Sequence, residues 1–529
     1  MRSRSSHRAL SSIVGAMIFI VIFGAAFASL LYMQDRYAKY INSVRETLNE
    51  EAERLSEDLE VKFKALNSTA VELTIVNKGQ VFTVVDHVWV GDKVFSLDLG
   101  LSPGGDSVVL VLNGSQINPD SEVFVVTRRG RIFEGEYEGY YVKRITIENP
   151  PGNGELHDFQ VEIQLTPNNF NYSRARWNGG DLRFYLYSNA TGKLSYWIES
   201  WNTQGTSIVW VKVPSLPSGG EVDIYMFYGD KDAASESSFD DVFDIVGEAG
   251  LLSVDSRWTE TRFLYAYPDS EPPVVVASPS RLNTTSDSEG VVRIWNVTLA
   301  GFQACFEEYE YETHGYETVY WLALRRGQWR IGELHVEVGL EETPTDVTFS
   351  SYFSSKPVAL TQLQGRDYVY ARAAHARVED VTTTGIENMH VEAEETVTDG
   401  EVGYIAIEEG IANTTFTGGL LIQTGIEEDV AVGSSLDVDF ESSFTTEPAV
   451  MAKIMTDTGP LREERIEDVS IDQFSVLIED ENLASGVEDL GWIAVEPFKP
   501  IYGRKFAPIE PIVTVNPTEE LAYGISYLP

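Results

Sequence analysis

One six-residue motif occurs three times and decides the fold of the chain: Arg293-Ile-Trp-Asn-Val-Thr298, Arg377-Val-Glu-Asp-Val-Thr382 and Arg465-Ile-Glu-Asp-Val-Ser470. The arginines of successive copies are 84 and 88 residues apart. Each copy follows a Pro-Val or Pro-Ala-Val opening and precedes a closing aromatic-apolar-Ala run, at Trp321-Leu-Ala323, Tyr404-Ile-Ala406 and Trp492-Ile-Ala494. Landmarks that keep register at a near-constant period predict tandem domains, each long enough for a sandwich of about six strands.

The polar positions of this motif are interpreted as fold determinants. A long cation five residues before Thr or Ser can pair with a carboxylate or cap a loop within its own domain, and one ligand rarely needs the same site on every module. The structural motif residues are Arg293, Asn296 and Thr298 in the first repeat, Arg377, Asp380 and Thr382 in the second, and Arg465, Asp468 and Ser470 in the third.

The repeats resemble the H-type lectin domain, most closely in the first copy, through Asn296-Val-Thr298, Gly301-Phe302 and Trp321-Leu-Ala323. The resemblance implies a six-stranded sandwich that binds simple sugars, often as a trimer. Aromatic faces stack on sugar C–H groups, so we predict carbohydrate contacts in a polar-aromatic segment of this copy, at Tyr309, Tyr311, His314 and Tyr316. A plain exposed hairpin is the alternative interpretation of that segment.

The charge balance limits the partners of the protein. The chain of 529 residues has 82 acidic against 39 Lys and Arg residues, a net charge of −43, which disfavours nucleic acid because phosphate binding needs clustered cations. Acidic loops leave calcium open as a cofactor, and we expect no other. The one cysteine, Cys305, excludes an intramolecular disulfide and is expected to be a buried, inert thiol.

The N-terminus predicts a membrane helix. Residues 9–33 carry no charge and span about 37 Å as a helix, while Arg2, Arg4 and Arg8 favour an inside N-terminus with the bulk of the chain outside. An amphipathic stalk follows, with apolar positions at Tyr37, Ile41, Val44, Leu48, Ala52, Leu55 and Leu59. The stalk either self-associates as a coiled coil or lies on its own first domain.

The run Arg8-Ala9-Leu10-Ser11-Ser12-Ile13-Val14-Gly15-Ala16 resembles the start of archaeal type IV pilin-like proteins. The resemblance implies cleavage between Ala9 and Leu10 by a prepilin-type peptidase, and a mature helix that packs in a filament core. An uncleaved signal anchor is the alternative. With the lack of disulfides, this start suggests an archaeal surface.

Two further sandwiches are predicted between helix and repeats. Alternating runs such as Ala70-Val-Glu-Leu-Thr-Ile-Val76 indicate the first. The second resembles a widespread extracellular domain of unknown function, through Tyr141-Val-Lys-Arg-Ile-Thr-Ile147, Tyr196-Trp-Ile-Glu-Ser-Trp-Asn202 and Ile224-Tyr-Met-Phe-Tyr-Gly229. Its tryptophans, Trp197, Trp201 and Trp210, are interpreted as core residues rather than a sugar-stacking row.

The predicted fold is therefore mainly β, with an N-terminal transmembrane or stalk helix followed by about five tandem antiparallel β-sandwich domains. The predicted units are a basic leader (1–9), the hydrophobic transmembrane or pilin-core helix with its stalk (10–60), a pilin-like or immunoglobulin-like sandwich (61–138), the extracellular sandwich of unknown function (139–231), a linker (232–250), lectin-like repeats 1 (251–329), 2 (330–417) and 3 (418–499), and an extended C-terminal arm (500–529). The arm is expected to close the last sandwich or to add a strand to a neighbouring subunit.

No catalytic or metal motif is visible in the sequence. There is no His-Glu-x-x-His pair, Gly-x-Ser-x-Gly elbow or phosphate loop, so we expect a protein that is not an enzyme, without a metal site. Paired carboxylates keep a surface glycoside hydrolase as an alternative. N-glycosylation triplets begin at Asn67, Asn113, Asn171, Asn189, Asn283, Asn296 and Asn413, all beyond the membrane helix.

The leading hypothesis is an adhesin-like protein of the cell surface, anchored by one span with its bulk outside, whose repeats bind glycans or surface-layer glycoproteins. The alternative is a pilin-like subunit that self-assembles in a surface filament. The identity of the glycan, the oligomeric state, calcium dependence and cleavage of the N-terminus stay open at this point.

Overall fold

The computed structural model describes residues 6–67, 70–113, 122–230, 232–265, 267–268, 270–280, 290–308, 315–365, 373–393, 396–398, 400–413, 419–459, 462–480 and 485–523. The chain folds as one long N-terminal helix followed by many β-sheets, as predicted. Helix α1 comprises Ser6–Leu55 and from Ser12 onward is long and apolar enough to cross a membrane. The apolar stretch of the helix packs against no other part of the described chain.

The stalk half of α1 does not lie on the first sandwich. Tyr37, Leu48 and Leu55 of its apolar stripe are all exposed. Only the end of the helix is held, where Arg129 forms ion pairs with Glu53 (2.7 Å) and Glu57 (2.9 Å). The stripe therefore stays available to a partner, and self-association of the stalk remains a prediction.

The first sandwich consists of two four-stranded sheets, in the orders β5-β2-β1-β8 and β4-β3-β6-β7, around one apolar core. Its strands are β1 (Leu59–Asn67), β2 (Ala70–Asn77), β3 (Thr83–Val90), β4 (Lys93–Leu101), β5 (Ser107–Asn113), β6 (Val123–Thr127), β7 (Ile132–Glu134) and β8 (Glu136–Tyr137).

The second sandwich follows directly. Its strands are β9 (Tyr140–Glu148), β10 (Leu156–Leu165), β11 (Arg183–Tyr185), β12 (Lys193–Leu194), β13 (Tyr196–Ser200), β14 (Ser207–Leu216) and β15 (Glu221–Tyr228). One sheet has the order β10-β14-β13, and the other contains β12-β11-β15-β9. Trp210 is buried in this region, and Trp197 and Trp201 are half-buried against other aromatic rings, as expected for core residues.

Each repeat is a sandwich of two layers, and three strands of each layer recur in all three repeats. The strands of repeat 1 and the connection after it are β16 (Asp244–Val254), β17 (Thr259–Arg262), β18 (Val274–Pro279), β19 (Gly290–Trp295), β20 (Gly301–Glu308), β21 (Glu317–Leu324) and β22 (Gly327–Ile331). Those of repeat 2 and its connection are β23 (Leu334–Thr343), β24 (Thr345–Thr348), β25 (Val358–Leu363), β26 (His375–Arg377), β27 (Asp380–Val381), β28 (Gly385–Ala393), β29 (Thr396–Thr398), β30 (Gly400–Ile407) and β31 (Gly410–Asn413). Those of repeat 3 are β32 (Leu421–Ala431), β33 (Ser435–Asp439), β34 (Ala449–Ile454), β35 (Arg462–Glu467), β36 (Gln473–Asp480) and β37 (Val487–Val495).

The layers correspond from one repeat to the next. The inner layers are β18-β21-β16, β25-β30-β23 and β34-β37-β32, and the outer layers are β17-β20-β19, β24-β28-β26 and β33-β36-β35. Strands β27 and β29 add to the outer layer of repeat 2. The predicted boundary between linker and repeat 1, at 250/251, falls inside β16. Residues 244–250, which were assigned to the linker from their small and acidic composition, are thus part of the first strand of repeat 1.

The repeats form a closed ring rather than a row of independent domains. After each repeat, one strand pairs with the first strand of the next repeat: β22 with β23, and β31 with β32. After repeat 3 the chain forms β38 (Pro500–Lys505), which pairs back with β16 of repeat 1. Strand β38 also pairs with β22, so that the inner layers of repeats 1 and 2 become one eight-stranded sheet.

All three repeats contribute to one shared core. Alternate residues of a strand face opposite sides of its sheet, so each inner layer packs its own sandwich on one side and the ring interior on the other. Val276, Leu360 and Met451 hold equivalent positions in β18, β25 and β34, and all three are buried in this common cluster. Hydrogen bonds cross between repeats as well, from Ser278 Oγ to the Ala452 carbonyl (2.8 Å) and from Gln362 Nε2 to the Val292 carbonyl (3.0 Å).

The C-terminal arm does not close the last sandwich, which corrects that part of the prediction. Its final strand, β39 (Ile512–Tyr523), pairs with β9 and becomes the edge strand of the second sandwich. Lys143 Nζ donates to the Asn516 carbonyl (2.9 Å), and Asn153 Nδ2 donates to the Ile509 carbonyl (2.7 Å). The second sandwich is therefore discontinuous in sequence, with the ring inserted between β15 and β39.

Candidate functional site

A cleft of about 550 Å³ lies between repeats 1 and 2. Repeat 1 supplies the end of β19, its hairpin turn and the segment after β21, while repeat 2 supplies the outer half of β23 and the start of β30. Its polar and aromatic lining consists of Trp295, Asn296, Arg326, Glu342, Gln364 and Glu401. The cleft exists because ring closure sets these two repeats side by side.

Two tryptophans form an accessible aromatic surface at this cleft. Trp295 is the last residue of β19 and is half-buried, and its ring centroid lies 5.6 Å from that of Trp258. Trp258, just before β17, is 39% exposed. Because the outward face of the outer layer carries both residues, their rings are presented beside the cleft rather than in the sandwich core.

Arg326 supplies an unsatisfied donor in the cleft wall. Its Nε is buried and has no hydrogen-bond partner within the described residues. The nearest carboxylate contact of the side chain is a long one, 3.9 Å to the exposed Glu271. Buried guanidinium N–H groups normally donate a hydrogen bond. A water molecule or a ligand in the cleft is therefore needed to accept one from Arg326 Nε.

Of the predicted sugar contacts, Tyr309, Tyr311 and His314 lie outside the described residues. Tyr316 is 63% exposed, and its hydroxyl accepts a hydrogen bond from Arg257 Nη2 at 3.3 Å. Arg257 also binds the Asp255 carboxylate through Nε (2.9 Å), and this hydrogen bond lowers the pKa of Asp255. The structure thus places Tyr316 in a polar cluster with two residues of the turn that leads to Trp258.

The three motif arginines are buried, and each lies within 4 Å of a carboxylate of its own repeat. Arg293 binds Glu307 at 2.6 Å, and Arg465 binds Glu479 at 2.9 Å. Arg377 lies 3.8 Å from Glu392 on the neighbouring strand. Each carboxylate belongs to the strand that pairs with the arginine's own strand, so the ion pair fastens one outer layer.

The remaining motif residues build a hairpin turn. The hydroxyls of Thr298, Thr382 and Ser470 donate to the carbonyls of residues 301, 385 and 473 at 3.0, 3.2 and 3.0 Å. Asn296 and Asp468 adopt positive φ angles of 52° and 42°, a conformation that Asn and Asp tolerate better than most residues. The residue types of the motif thus follow from the turn.

Sequence reasoning missed a second repeated signature, (Glu/Gln)-x-Gly in the first strand of each repeat. Its glycines, Gly250, Gly339 and Gly425, lie under the closing aromatic residues, and a Cβ there would come within 2.7, 2.4 and 2.6 Å of the ring. Glu248 accepts hydrogen bonds from two backbone N–H groups of a loop, and burial raises the pKa of this carboxyl. The three-residue spacing was visible in the sequence, but a single Gly in a strand carries little signal on its own.

The interface between repeats 2 and 3 is filled by a network of buried charges. Arg462 Nη1 donates to Glu488 at 2.7 Å, and its Nε donates to Asp480 at 3.1 Å. Arg377 reaches across from repeat 2 to Asp457 at 3.0 Å. The carboxylates offset the penalty of burying the two guanidinium groups.

Other predicted sites have no reactive geometry in the described chain. Cys305 is buried, and this burial raises the pKa of the thiol to about 12, in line with an inert residue. The described residues contain no group of three or more His, Cys, Asp and Glu side chains placed to hold a metal ion, and calcium binding stays untested.

The asparagines of four predicted N-glycosylation triplets are exposed: Asn113, Asn171, Asn189 and Asn296. Asn283 and the side chains of Asn67 and Asn413 are outside the described part.

Comparison with known families identifies one domain. Residues 178–261 match the family described as "Domain of unknown function (DUF2341)". The match covers the later strands of the second sandwich and continues through β16 into β17, so it crosses from the second sandwich into the ring. A comparison with curated proteins finds no match. The chain therefore has an N-terminal membrane-type helix and, within its β-rich part, a domain similar to DUF2341.

Proposed function

We propose that this protein is a membrane-anchored surface protein that binds neutral carbohydrate in the cleft between repeats 1 and 2. The observation that carries the proposal is a pair of tryptophans, the half-buried Trp295 in the cleft lining and the exposed Trp258 next to it, together with the buried Arg326 Nε, which has no hydrogen-bond partner among the described residues. Helix α1 would hold the protein in the membrane, with the two sandwiches as a spacer beneath the ring.

The cleft has the two components that sugar binding needs. The indole faces of Trp295 and Trp258 can stack on the C–H face of a pyranose ring. Arg326, Gln364 and Glu342 can exchange hydrogen bonds with its hydroxyls. The net charge of −43 and the two carboxylates in the cleft disfavour sulfated or sialylated glycans, so neutral sugars are the expected class.

A binding role is proposed over glycoside hydrolysis. Glu342 and Glu401 are directly opposite each other on β23 and β30, which is the kind of pair a hydrolase needs. Both side chains are exposed to solvent. A carboxyl group that protonates a leaving sugar is normally kept protonated by an apolar pocket, and neither residue is in one.

Retention of the full-length protein, in detergent micelles, on an array of neutral glycans tests the proposal. Trp295→Ala and Arg326→Ala should each reduce binding to the recognised glycan at least roughly tenfold, since both remove contacts to the same sugar. Trp177→Ala is the matched control, because Trp177 is 79% exposed on the second sandwich and far from the cleft in sequence. Failure of the wild type to bind any glycan, or equal binding by all variants, would overturn the proposal.

The uncovered surface of α1 favours a second candidate, a subunit of a surface filament. Its apolar stretch has no partner among the described residues, as a helix that packs in a filament core would require. Mass spectrometry of the N-terminal peptide decides between the two. A chain that starts at Leu10 in sheared surface fractions supports the filament, and a chain that starts at Met1 in membranes contradicts it.

A further inference from the structure

A groove of about 630 Å³ lies at the junction of the second sandwich and the ring. Its walls come from β10 and β14, from the turn between β22 and β23, from β38, and from the C-terminal segment. The groove is complete only when the C-terminal segment returns to the second sandwich, because residues 510–515 form one wall.

Two strand edges border this groove. In the described part of the chain, β10 pairs with β14 alone and β39 pairs with β9 alone. Each therefore presents one row of backbone N–H and C=O groups that no neighbouring strand uses. Strand edges of this kind are the surfaces to which proteins add an extended peptide as a further strand.

The floor and rim of the groove define the chemistry of such a peptide. Val513 and Val515 are half-buried between the two edges and offer an apolar floor to alternate side chains. The rim carries Glu162 and Glu333, and neither is paired with a cation within the described residues. Arg504, the cation of the lining, already binds Glu510 at 2.9 Å.

A sugar fits this groove less well than a peptide does. Its lining includes Phe159, which is only 1% exposed, and its other aromatic residue, Trp210, is only 4% exposed. The ring packs against Phe243 and lies under the Arg504 guanidinium, while its Nε1 donates to Glu199 at 2.8 Å. No face of this indole is free for stacking on a pyranose.

We infer that the groove between β10 and β39 binds an extended basic polypeptide segment of a partner protein, which adds as a strand and places lysine or arginine side chains against Glu162 and Glu333. Alternation of the strand sends every second side chain to the apolar floor and the others to the acidic rim. This site is independent of the carbohydrate cleft, and either can fail without the other.

Fluorescence anisotropy with a labelled eight-residue peptide of alternating Lys and Val tests the inference on the full-length protein in detergent micelles. We expect saturable binding that Glu162→Lys/Glu333→Lys weakens at least roughly tenfold through charge reversal. The matched control, Glu221→Lys/Asp232→Lys, makes the same change of charge at exposed positions outside the groove and should leave binding within about twofold.

Two further peptides separate strand addition from simple attraction of charge. The same peptide N-methylated at alternate residues cannot form the strand hydrogen bonds and should lose binding, and a Glu-Val peptide should not bind. Equal binding of the N-methylated peptide, equal loss in the control variant, binding of the Glu-Val peptide, or no binding of the Lys-Val peptide would overturn the inference. Trp295→Ala should not alter peptide binding.

Discussion

The interfaces between repeats 1 and 2 and between repeats 2 and 3 are built from equivalent positions, yet one is an open cleft and the other is closed. Pro272 and Lys356 each precede the opening proline of their repeat, and Asn296 and Asp380 hold the same place in the motif. At the closed interface Lys356 Nζ bridges Asp380 (3.3 Å) and Asp489 (2.9 Å). At the open one, Pro272 and Asn296 line the cleft and no such bridge can form.

This difference shows how one repeated fold can form an open junction in one place and a filled junction in another. The shared core and the motif turns are common to all repeats, whereas a few side chains at each junction decide whether it is filled. The side chain of Arg462 also fills the closed junction. Repeats 1 and 2 have the smaller Gly290 and Ala374 at the position equivalent to Arg462. The fold is therefore the same at both junctions, while the open space of the first is filled by side chains in the second.

The largest expected effect comes from breaking the closed interface at Arg462. Arg462→Met leaves Glu488 and Asp480 buried without their cation, and it should lower the free energy of unfolding by about 3–5 kcal/mol. Urea denaturation followed by tryptophan fluorescence measures it. The control Arg262→Met, at an 84% exposed side chain, should change little, and equal effects of the two substitutions would contradict a buried network.

The closed interface should also be sensitive to acid. Burial, and then the charge of Arg377, lower the pKa of His375 to about 3. The histidine of the unfolded chain binds its proton at a higher pH than that of the folded chain. The contribution of His375 to the free energy of unfolding is therefore fully present above pH 6.5, and it falls by about 1.4 kcal/mol per pH unit as the pH drops toward 3.

Thermal unfolding of His375→Gln between pH 7 and pH 4 checks this. The variant should lose stability less steeply with acid than the wild type does. The carboxylates of Glu392 and Glu463, 3.9 and 3.7 Å from the imidazole, are present in both proteins. His157→Gln, at a 66% exposed side chain, should keep the wild-type slope, and an unchanged slope in His375→Gln would show that this histidine does not contribute.

Removal of the bridging lysine should have a smaller effect. Burial disfavours the charge of Lys356, but the carboxylates of Asp489 and Asp380 outweigh it and raise the pKa of the ammonium group. Lys356→Met should cost about 1.5 kcal/mol, since it leaves two carboxylates facing each other without a donor. Calorimetric midpoints of the variant and of Lys39→Met, on the exposed stalk, give the comparison; a gain in stability would contradict the bridge.

The smallest effects should be alike in all three repeats. Thr298→Ala, Thr382→Ala and Ser470→Ala each remove the same hydroxyl from the same turn and should each cost roughly 0.5–1 kcal/mol. Urea midpoints of the three variants test whether the repeats are equivalent away from their junctions. A large effect in one repeat alone would mean that its turn has an additional role.

The sequence predicted the local features of this molecule better than its long-range ones. The period of the motif located all three repeats, and the recurrence of Arg293, Arg377 and Arg465 predicted a structural role for them, with a carboxylate partner or a loop cap as the alternatives. Pairing of β38 with β16 and of β39 with β9 joins residues hundreds of positions apart, and strand patterns do not specify such partners. Consequently the ring, the discontinuous second sandwich and the groove were found only in the structure.

The candidate site shows the same limit. Tyr316 was predicted from an aromatic-rich segment, but Trp258, Trp295 and Arg326 belong to separate stretches that only the sandwich and ring bring together. Trp295 was visible within the first motif as the aromatic residue that the other two copies replace with Glu379 or Glu467. The sequence signal for this site was therefore a single motif position at which repeat 1 differs from the other two repeats.

The most direct test of the account is glycan binding by Pro272→Lys/Asn296→Asp, which copies the residues of the closed interface into the open one. The new lysine would face Glu401, the counterpart of Asp489, and the ion bridge should fill the cleft. Measured on the glycan recognised by the wild type, the variant should keep the wild-type unfolding midpoint and lose binding. Wild-type affinity in this variant would contradict the claim that carbohydrate binds between repeats 1 and 2.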